Sequence, residues 1–304
     1  MQQRATGGSA VLDNSKSATI HTPRSLHDLG STLQRVKEPT LFAGGTYLMH
    51  SPSFYPCDTH RDIVYLGEIS EFKRISRNDR TLEIGSMVNL EHIMSAGKQA
   101  LPNLLLSSIA NSGTLIVRRQ STLGGALAIP SRRIALSGAL ASLDAEVQVY
   151  TLKNQRLVST WKPISSLYER NGTLRLSSKE IIGGVRISDE KESFSSQMIA
   201  GDIMRKPEES AIASLACFER ESLISRFNIS LIFPESLFIV PPDLTLQMIG
   251  MTIPLKSSQM GRVRRLMEEH VDQVVQNSLP HLQRERGRRL IEALLHSLNI
   301  HGLS

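Results

Sequence analysis

Arg118-Arg119-Gln120-Ser121-Thr122-Leu123-Gly124-Gly125-Ala126-Leu127-Ala128, together with the earlier stretch Leu41-Phe42-Ala43-Gly44-Gly45-Thr46-Tyr47-Leu48-Met49, decides how this chain is read. Each places a Gly-Gly pair beside a threonine and between apolar neighbours. Glycine permits positive φ and removes the Cβ, so another group can approach the backbone closely. Successive N–H groups in such a turn form a concavity that suits an anion. Two such loops brought together could hold a pyrophosphate without a lysine. Taken singly, a Gly-Gly pair is most often only a turn between elements. The GxGxxG pattern of a Rossmann site and the GxxxxGK[ST] of a P-loop are both missing from the sequence.

Outward from these loops the pattern mixes strands and helices. Residues 1–17 are polar and small and read as a flexible tail. Ser25 is placed to cap a helix carrying Leu26, Leu29 and Leu33, despite Gly30. Leu41 to Ala43 predicts a strand entering the first glycine turn, and Ile63 to Leu66 a second strand. Leu82 and Ile84 alternate as a strand. Asn89 caps a short helix with Leu90, Ile93 and Met94 on one face, ended by Gly97. Pro102 opens a helix running to about Ser112, and Ile134 to Leu143 has helical spacing. Val147 and Val149 alternate as a strand, and further strands are expected at Leu174 to Leu176 and Ile181 to Ile187. Beyond the polar stretch Asp189-Glu190-Lys191-Glu192-Ser193, Ala211 to Phe218 and Phe227 to Phe233 suit strands. Two helical stripes follow. One is Val263, Leu266, Met267, His270, Val271, Val274 and Val275; the other is Leu290, Ile291, Leu294, Leu295 and Leu298. The fold class is α+β.

Composition narrows the function. The 304 residues include only the cysteines Cys57 and Cys217, too few for an iron–sulfur cluster and not spaced as a CxxC zinc pair. The formal charge of +6 allows acidic or phosphate-bearing partners without choosing among them. No HExxH motif or histidine cluster suggests a metal, and His92 reads as a surface residue. The start of the chain has no apolar signal-peptide core, and no run reaches membrane-span length, so the cytoplasm is the expected location. Arg262, Arg264 and Arg265, and Arg284, Arg286, Arg288 and Arg289, abut amphipathic helices. They read as solvated faces or a subunit contact rather than a nucleic-acid surface, since no aromatics are interleaved.

The two loops resemble the AGGTD and RNxATLGGN loops of the FAD-binding subunits of molybdenum hydroxylases, the medium subunits of the xanthine dehydrogenase and carbon monoxide dehydrogenase type. Leu140 to Val147 is similar to that family's LLALDAEV passage, Glu180 to Ile187 to its EIIxxIRIP strand, and Arg205 to Ala216 to its RxAxDIAxVSVA segment. In order and spacing the resemblance touches most of Thr22 to Leu298. It implies a two-part PCMH-type FAD-binding domain over 18–190, with a break near 73–80, then a smaller α+β domain over 191–304. It also implies FAD as cofactor. Electrons would come from [2Fe–2S] clusters on a small subunit, fed by a molybdenum-binding large subunit, and leave to NAD or another acceptor. The cofactor-binding residues carried over are Ala43, Gly44, Gly45, Thr46, Tyr47 and Leu48 from the first loop. From the second come Thr122, Leu123, Gly124, Gly125 and Ala126, and from the later strand Ile182. No catalytic residue is expected, because the flavin carries the redox chemistry.

The chain departs from the family's pattern at four places. Tyr47 stands for Asp or Asn, Ala126 for the Asn of LGGN, Ala135 for an Asp, and Gly201 for a Lys. A backbone cradle survives such changes; side-chain contacts to the flavin do not. Tyr47 has the chemistry to stack on adenine or isoalloxazine. Arg132 or Arg133 either pairs with a phosphate or is a surface residue. Two other readings stay open: a degenerate, non-catalytic assembly subunit of the same fold, and a self-contained PCMH-type flavin reductase. The second would be similar to the enzyme that completes UDP-N-acetylmuramate, although no matching Ser and Glu motif is seen.

Overall fold

The computed structural model describes residues 18–50, 62–96, 101–129, 135–169, 173–202, 206, 209–233, 236–239, 245–275 and 280–302. Gly97, Arg132, Arg133, Ile134 and Cys57, on which expectations were placed, lie outside this set. So do the side chains of Val274 and Val275.

Three short strands open the chain: β1 (Thr19–His21), β2 (Thr40–Phe42) and β3 (Asp62–Tyr65). They form a parallel sheet in the order β1-β3-β2. Helix α1 (Leu26–Arg35) crosses over between β1 and β2. Ser25 caps it, its Oγ accepting the Asp28 N–H at 3.1 Å. Leu29 and Leu33 of this helix pack with Val64, Leu66, Ile69 and Phe72, and with Ile181 from much later in the chain.

A five-stranded antiparallel sheet follows, in the order β4-β5-β8-β6-β7. Its strands are β4 (Ile75–Arg77), β5 (Thr81–Gly85), β6 (Glu146–Lys153), β7 (Arg156–Pro163) and β8 (Glu180–Ser188). Between β5 and β6 lie helices α2 (Leu90–Ser95), α3 (Asn103–Ala110), α4 (Leu115–Gln120), α5 (Leu123–Leu127) and α6 (Ala135–Ser142). Asn89 caps α2 as its position predicts, its Oδ1 accepting the His92 N–H at 2.7 Å. Leu174 to Leu176 is not a strand. Leu174 makes one bridge to Tyr168, and without a longer partner segment its apolar side chains serve packing instead.

The last sheet is antiparallel, ordered β12-β11-β10-β9, from β9 (Phe194–Ala200), β10 (Ala211–Arg220), β11 (Leu223–Phe233) and β12 (Ser236–Ile239). The side-chain alternation of a strand explains why β10 is apolar almost throughout. Ala211, Ala213, Leu215 and Cys217 join the core formed with helices α7 (Ser257–Val275) and α8 (His281–His301). Ala216 and Phe218 join the core of the preceding helices and the five-stranded sheet. Burial pushes the Cys217 thiol up to about 12, so it stays protonated and unreactive.

Helix α6 is the element common to both parts. All eight of its residues are buried. Ser142 Oγ lies 3.0 Å from the Ser214 carbonyl oxygen and 3.0 Å from Ser230 Oγ, and Ser230 donates to the Gly138 carbonyl at 2.8 Å. A Cβ at Gly138 would meet the Ile232 side chain at 2.6 Å, so glycine lets the helix lie against β11. The first basic cluster, Arg262, Arg264 and Arg265, is exposed, with Arg264 paired to Glu292 at 2.8 Å; in the second only Arg289, paired to Glu285 at 2.9 Å, is exposed, while Arg284, Arg286 and Arg288 are half-buried and Arg286 donates to the Glu209 carbonyl. Among the described residues no helix is long and apolar enough to cross a membrane.

Candidate functional site

The two glycine loops meet. Where a Cβ of Gly44 would stand, the Gln120 carbonyl oxygen lies 1.9 Å away, so the loops touch backbone to backbone. Thr46 Oγ1 and Ser121 Oγ are hydrogen-bonded at 3.0 Å, joining them laterally. Gly45 sits at φ +73°, over the Phe42 ring, which a Cβ would meet at 2.6 Å. That left-handed turn needs glycine.

Backbone donors are distributed unequally between the loops. In the second loop the Leu123 N–H goes to the Val88 carbonyl at 2.9 Å and that of Gly124 to the Ser86 carbonyl at 2.8 Å. The Gly125 N–H goes to Thr122 Oγ1 at 3.2 Å, as expected of an N-capping threonine. The Ala126 N–H goes to the Thr122 carbonyl at 2.9 Å. In the first loop the N–H groups of Gly44, Gly45 and Thr46 make no hydrogen bond among the described residues.

Between the loops runs a cleft with two ends. The first end, an open space of about 580 Å³, is lined by Ala43 to Leu48 with Thr122, Gly125, Ala128 and Ile129. The second, about 420 Å³, shares Leu41, Ala43, Gly125 and Ala128 with the first and continues along Leu66, Met87, Leu176, Ile181 and Ile182. Its polar side chains are Ser86 and Glu180. Glu180 is the one charged side chain among the described lining residues. Burial acts to raise its carboxyl, but several partners outweigh burial and hold it below its ordinary value. They are the Ser177 N–H (3.0 Å), the Thr151 hydroxyl (3.2 Å) and the Lys162 charge. Ser86 is 3% exposed, and its Oγ has no hydrogen-bond partner among the described residues.

Of the residues singled out from the sequence, Ala43, Gly44, Gly45, Thr46, Tyr47, Leu48, Thr122, Gly124, Gly125 and Ile182 line the cleft. Leu123 and Ala126 are buried in the core beneath it, on the inner face of α5. Ala135 packs against Ile212 and Ile232, away from the lining. Gly201 turns the chain after β9 at φ +92°, where a Cβ would lie 3.0 Å from Ser210 Cα, so a lysine there would be strained. Sequence reasoning missed Ser86, Leu176 and Glu180. Ser86, which follows β5, and Glu180, which opens β8, are brought together because these strands pair in register, Gly85 opposite Gly184.

A carrier of diphosphate joined to flat heterocycles fits this arrangement. Among the described residues the N–H groups of the first loop have no partner and suit an anion, the second end offers an apolar slot, and the Ser86 hydroxyl is unpaired. The fold and cleft therefore suit a ligand that joins an anionic group to an apolar one. The family model described as the FAD binding domain in molybdopterin dehydrogenase matches residues 15–188, and the chain belongs to that family. It is thus an FAD-dependent oxidoreductase subunit with FAD as its cofactor. No curated protein sequence matches significantly. Among solved structures, a chain of quinoline 2-oxidoreductase from Pseudomonas putida 86 aligns with a TM-score of 0.69 at 17% identity, over 93% of this chain and 98% of that one. Carbon monoxide dehydrogenase from Oligotropha carboxidovorans gives 0.73 at 13%, over 94% and 98%. That from Hydrogenophaga pseudoflava gives 0.70 at 14%, over 92% and 98%. At these identities the likeness speaks for the fold.

Proposed function

We propose that this chain is the FAD-binding electron-transfer subunit of a molybdenum hydroxylase complex in the cytoplasm. A molybdenum-binding large subunit and a [2Fe–2S] small subunit are its partners, and NAD or another molecule is the final acceptor. The observation that carries the reading is that the N–H groups of Gly44, Gly45 and Thr46 have no partner among the described residues, at the mouth of a cleft with an apolar far end. In this reading 18–190 is the cofactor-binding domain and 191–304 the smaller one.

When bound, FAD supplies the redox chemistry. The chain supplies position. Gly44, Gly45 and Thr46 donate to the diphosphate, with Ala43 and Leu48 flanking them. Thr122, Gly124 and Gly125 form the opposing wall. Tyr47, 36% exposed at the rim, lays its ring along the ligand. Ile182, with Leu66, Met87 and Ile181, walls off water from the heterocycle. In this reading FAD would be held despite Ala126 and Gly201, whose positions serve packing and a turn.

The test is to purify the full chain, record its visible spectrum and identify the flavin released on denaturation. Stoichiometric FAD is expected. A folded, colourless chain that refuses added FAD overturns the reading. If co-expression with the partner subunits also leaves it flavin-free, the chain is an assembly subunit that keeps only the fold.

A further inference from the structure

Among the described residues, the second end of the cleft holds one polar side chain, that of Ser86, without a hydrogen-bond partner. Ser86 follows directly on β5. Its N–H donates to the Gly183 carbonyl at 2.9 Å, and its carbonyl accepts the Gly124 N–H at 2.8 Å, so its backbone is fully engaged. Its side chain is wedged beneath the second loop: a Cβ on Gly124 would lie 2.6 Å from Ser86 Cβ. The hydroxyl at the end of that side chain is buried and without a partner, and the residue lines the cavity beside Met87, Gly125 and Ala43. A buried hydroxyl left unsatisfied costs stability, and an alanine of almost the same volume would remove that cost. The remaining walls are apolar except for Glu180, whose oxygens already accept from Thr151 and Ser177.

We propose that Ser86 is a ligand-recognition residue: its hydroxyl hydrogen-bonds the nitrogen-bearing heterocycle that occupies the apolar end of the cleft. The inference rests on the flavin reading above and adds to it the residue that selects and orients the ring. A ring nitrogen or carbonyl accepts from the hydroxyl, or a ring N–H donates to it, with a small turn about the Cα–Cβ bond bringing the oxygen to face the ligand. Adenine and isoalloxazine share this chemistry, and the ligands used in the test separate them.

The experiment compares the full-length chain with Ser86→Ala. It measures thermal unfolding without ligand and dissociation constants for FAD, FMN and ADP by flavin fluorescence and calorimetry. The expected result is a pair of opposite signs. The ligand-free variant unfolds about 2 °C higher, because an unsatisfied group is gone. Its FAD dissociation constant rises about five- to tenfold, because one hydrogen bond to the ligand is lost. A parallel loss for FMN seats isoalloxazine against Ser86; a parallel loss for ADP seats adenine there. Unchanged FAD affinity overturns the proposal while leaving the flavin reading intact. So does a ligand-free variant that unfolds at lower temperature, since the hydroxyl would then be serving the protein. A wild-type chain that takes up no flavin overturns both.

Discussion

The same dipeptide does two different jobs in the two loops. Gly44-Gly45 lies where the backbone turns left-handed and leaves N–H groups without a partner among the described residues; Gly124-Gly125 lies in a capped helical turn whose N–H groups are all spent within the chain. Gly44 is glycine because the Gln120 carbonyl oxygen would lie 1.9 Å from a Cβ there, and Gly45 because its φ is +73°; the turn they make is what leaves the N–H groups unengaged among the described residues. The second pair is glycine mainly so that one part of the chain can reach another, with Ser86 below it and Ala43 beside it. A motif match cannot separate these roles, because both loops read as a threonine beside two glycines. The difference lies in where the donors go.

Amide exchange gives the largest expected effect. Saturating the chain with FAD at about a hundred times its dissociation constant slows exchange at Gly44, Gly45 and Thr46 about a hundredfold. Gly124 and Gly125 are slow already in the ligand-free chain. Equal behaviour of the two loops would erase the distinction drawn here.

Substitution comes next. Gly44→Ala drives a methyl group into the Gln120 carbonyl and forces the loops apart, costing about 3 kcal/mol or more with loss of flavin binding. Gly124→Ala meets Ser86 at 2.6 Å and costs about 1–3 kcal/mol. Denaturant titration of both variants, with flavin content alongside, sets the order. A milder Gly44→Ala would mean that the loops are not in contact as described. Thr46→Val, Ser121→Ala and the double variant form a cycle on the hydrogen bond that ties the loops, with a coupling of about 1 kcal/mol expected. A coupling of zero would leave each loop to be held by its own strand.

The smallest effect concerns pH. The second loop hangs from β8 through Ser86 and Gly183, and Glu180 begins that strand. Its folded-state pKa is depressed, so its stabilisation is complete above the ordinary value of 4.5. It is lost as pH falls through the lower folded-state value. Thermal unfolding followed from pH 7 to pH 3 should show Glu180→Gln destabilised at neutral pH and converging with wild type in acid. Parallel curves would remove Glu180 from the support of the cleft.

How much of this was legible in the sequence depends on how local the cause is. The caps at Ser25 and Asn89 act within three residues and were readable, as were the glycine turn at Gly44-Gly45 and the apolar stripe of Leu290 to Leu298; Gly124-Gly125, expected as a second anion-binding turn, is instead the capped helix α5. Strand β7 was not, because its apolar residues Leu157, Val158 and Trp161 do not alternate with polar ones and it is a strand by virtue of pairing with β6. Strand β9 is half-buried at every position, which leaves no periodic signal. At the site, motif positions identified the loops but not the direction of their side chains. Leu123 and Ala126 point inward because α5 is helical, whereas Ser86 and Glu180 arrive through strand register, a long-range property that no local pattern displays.

Helix α6 carries a consequence for how the protein is made. The chain leaves the ribosome N-terminus first, so α6 emerges well before β10 and β11 exist to cover it. Until they do, Ser142 lacks its partners and the face around Gly138 is bare to water. The glycine-loop half therefore cannot finish packing while it is being synthesised.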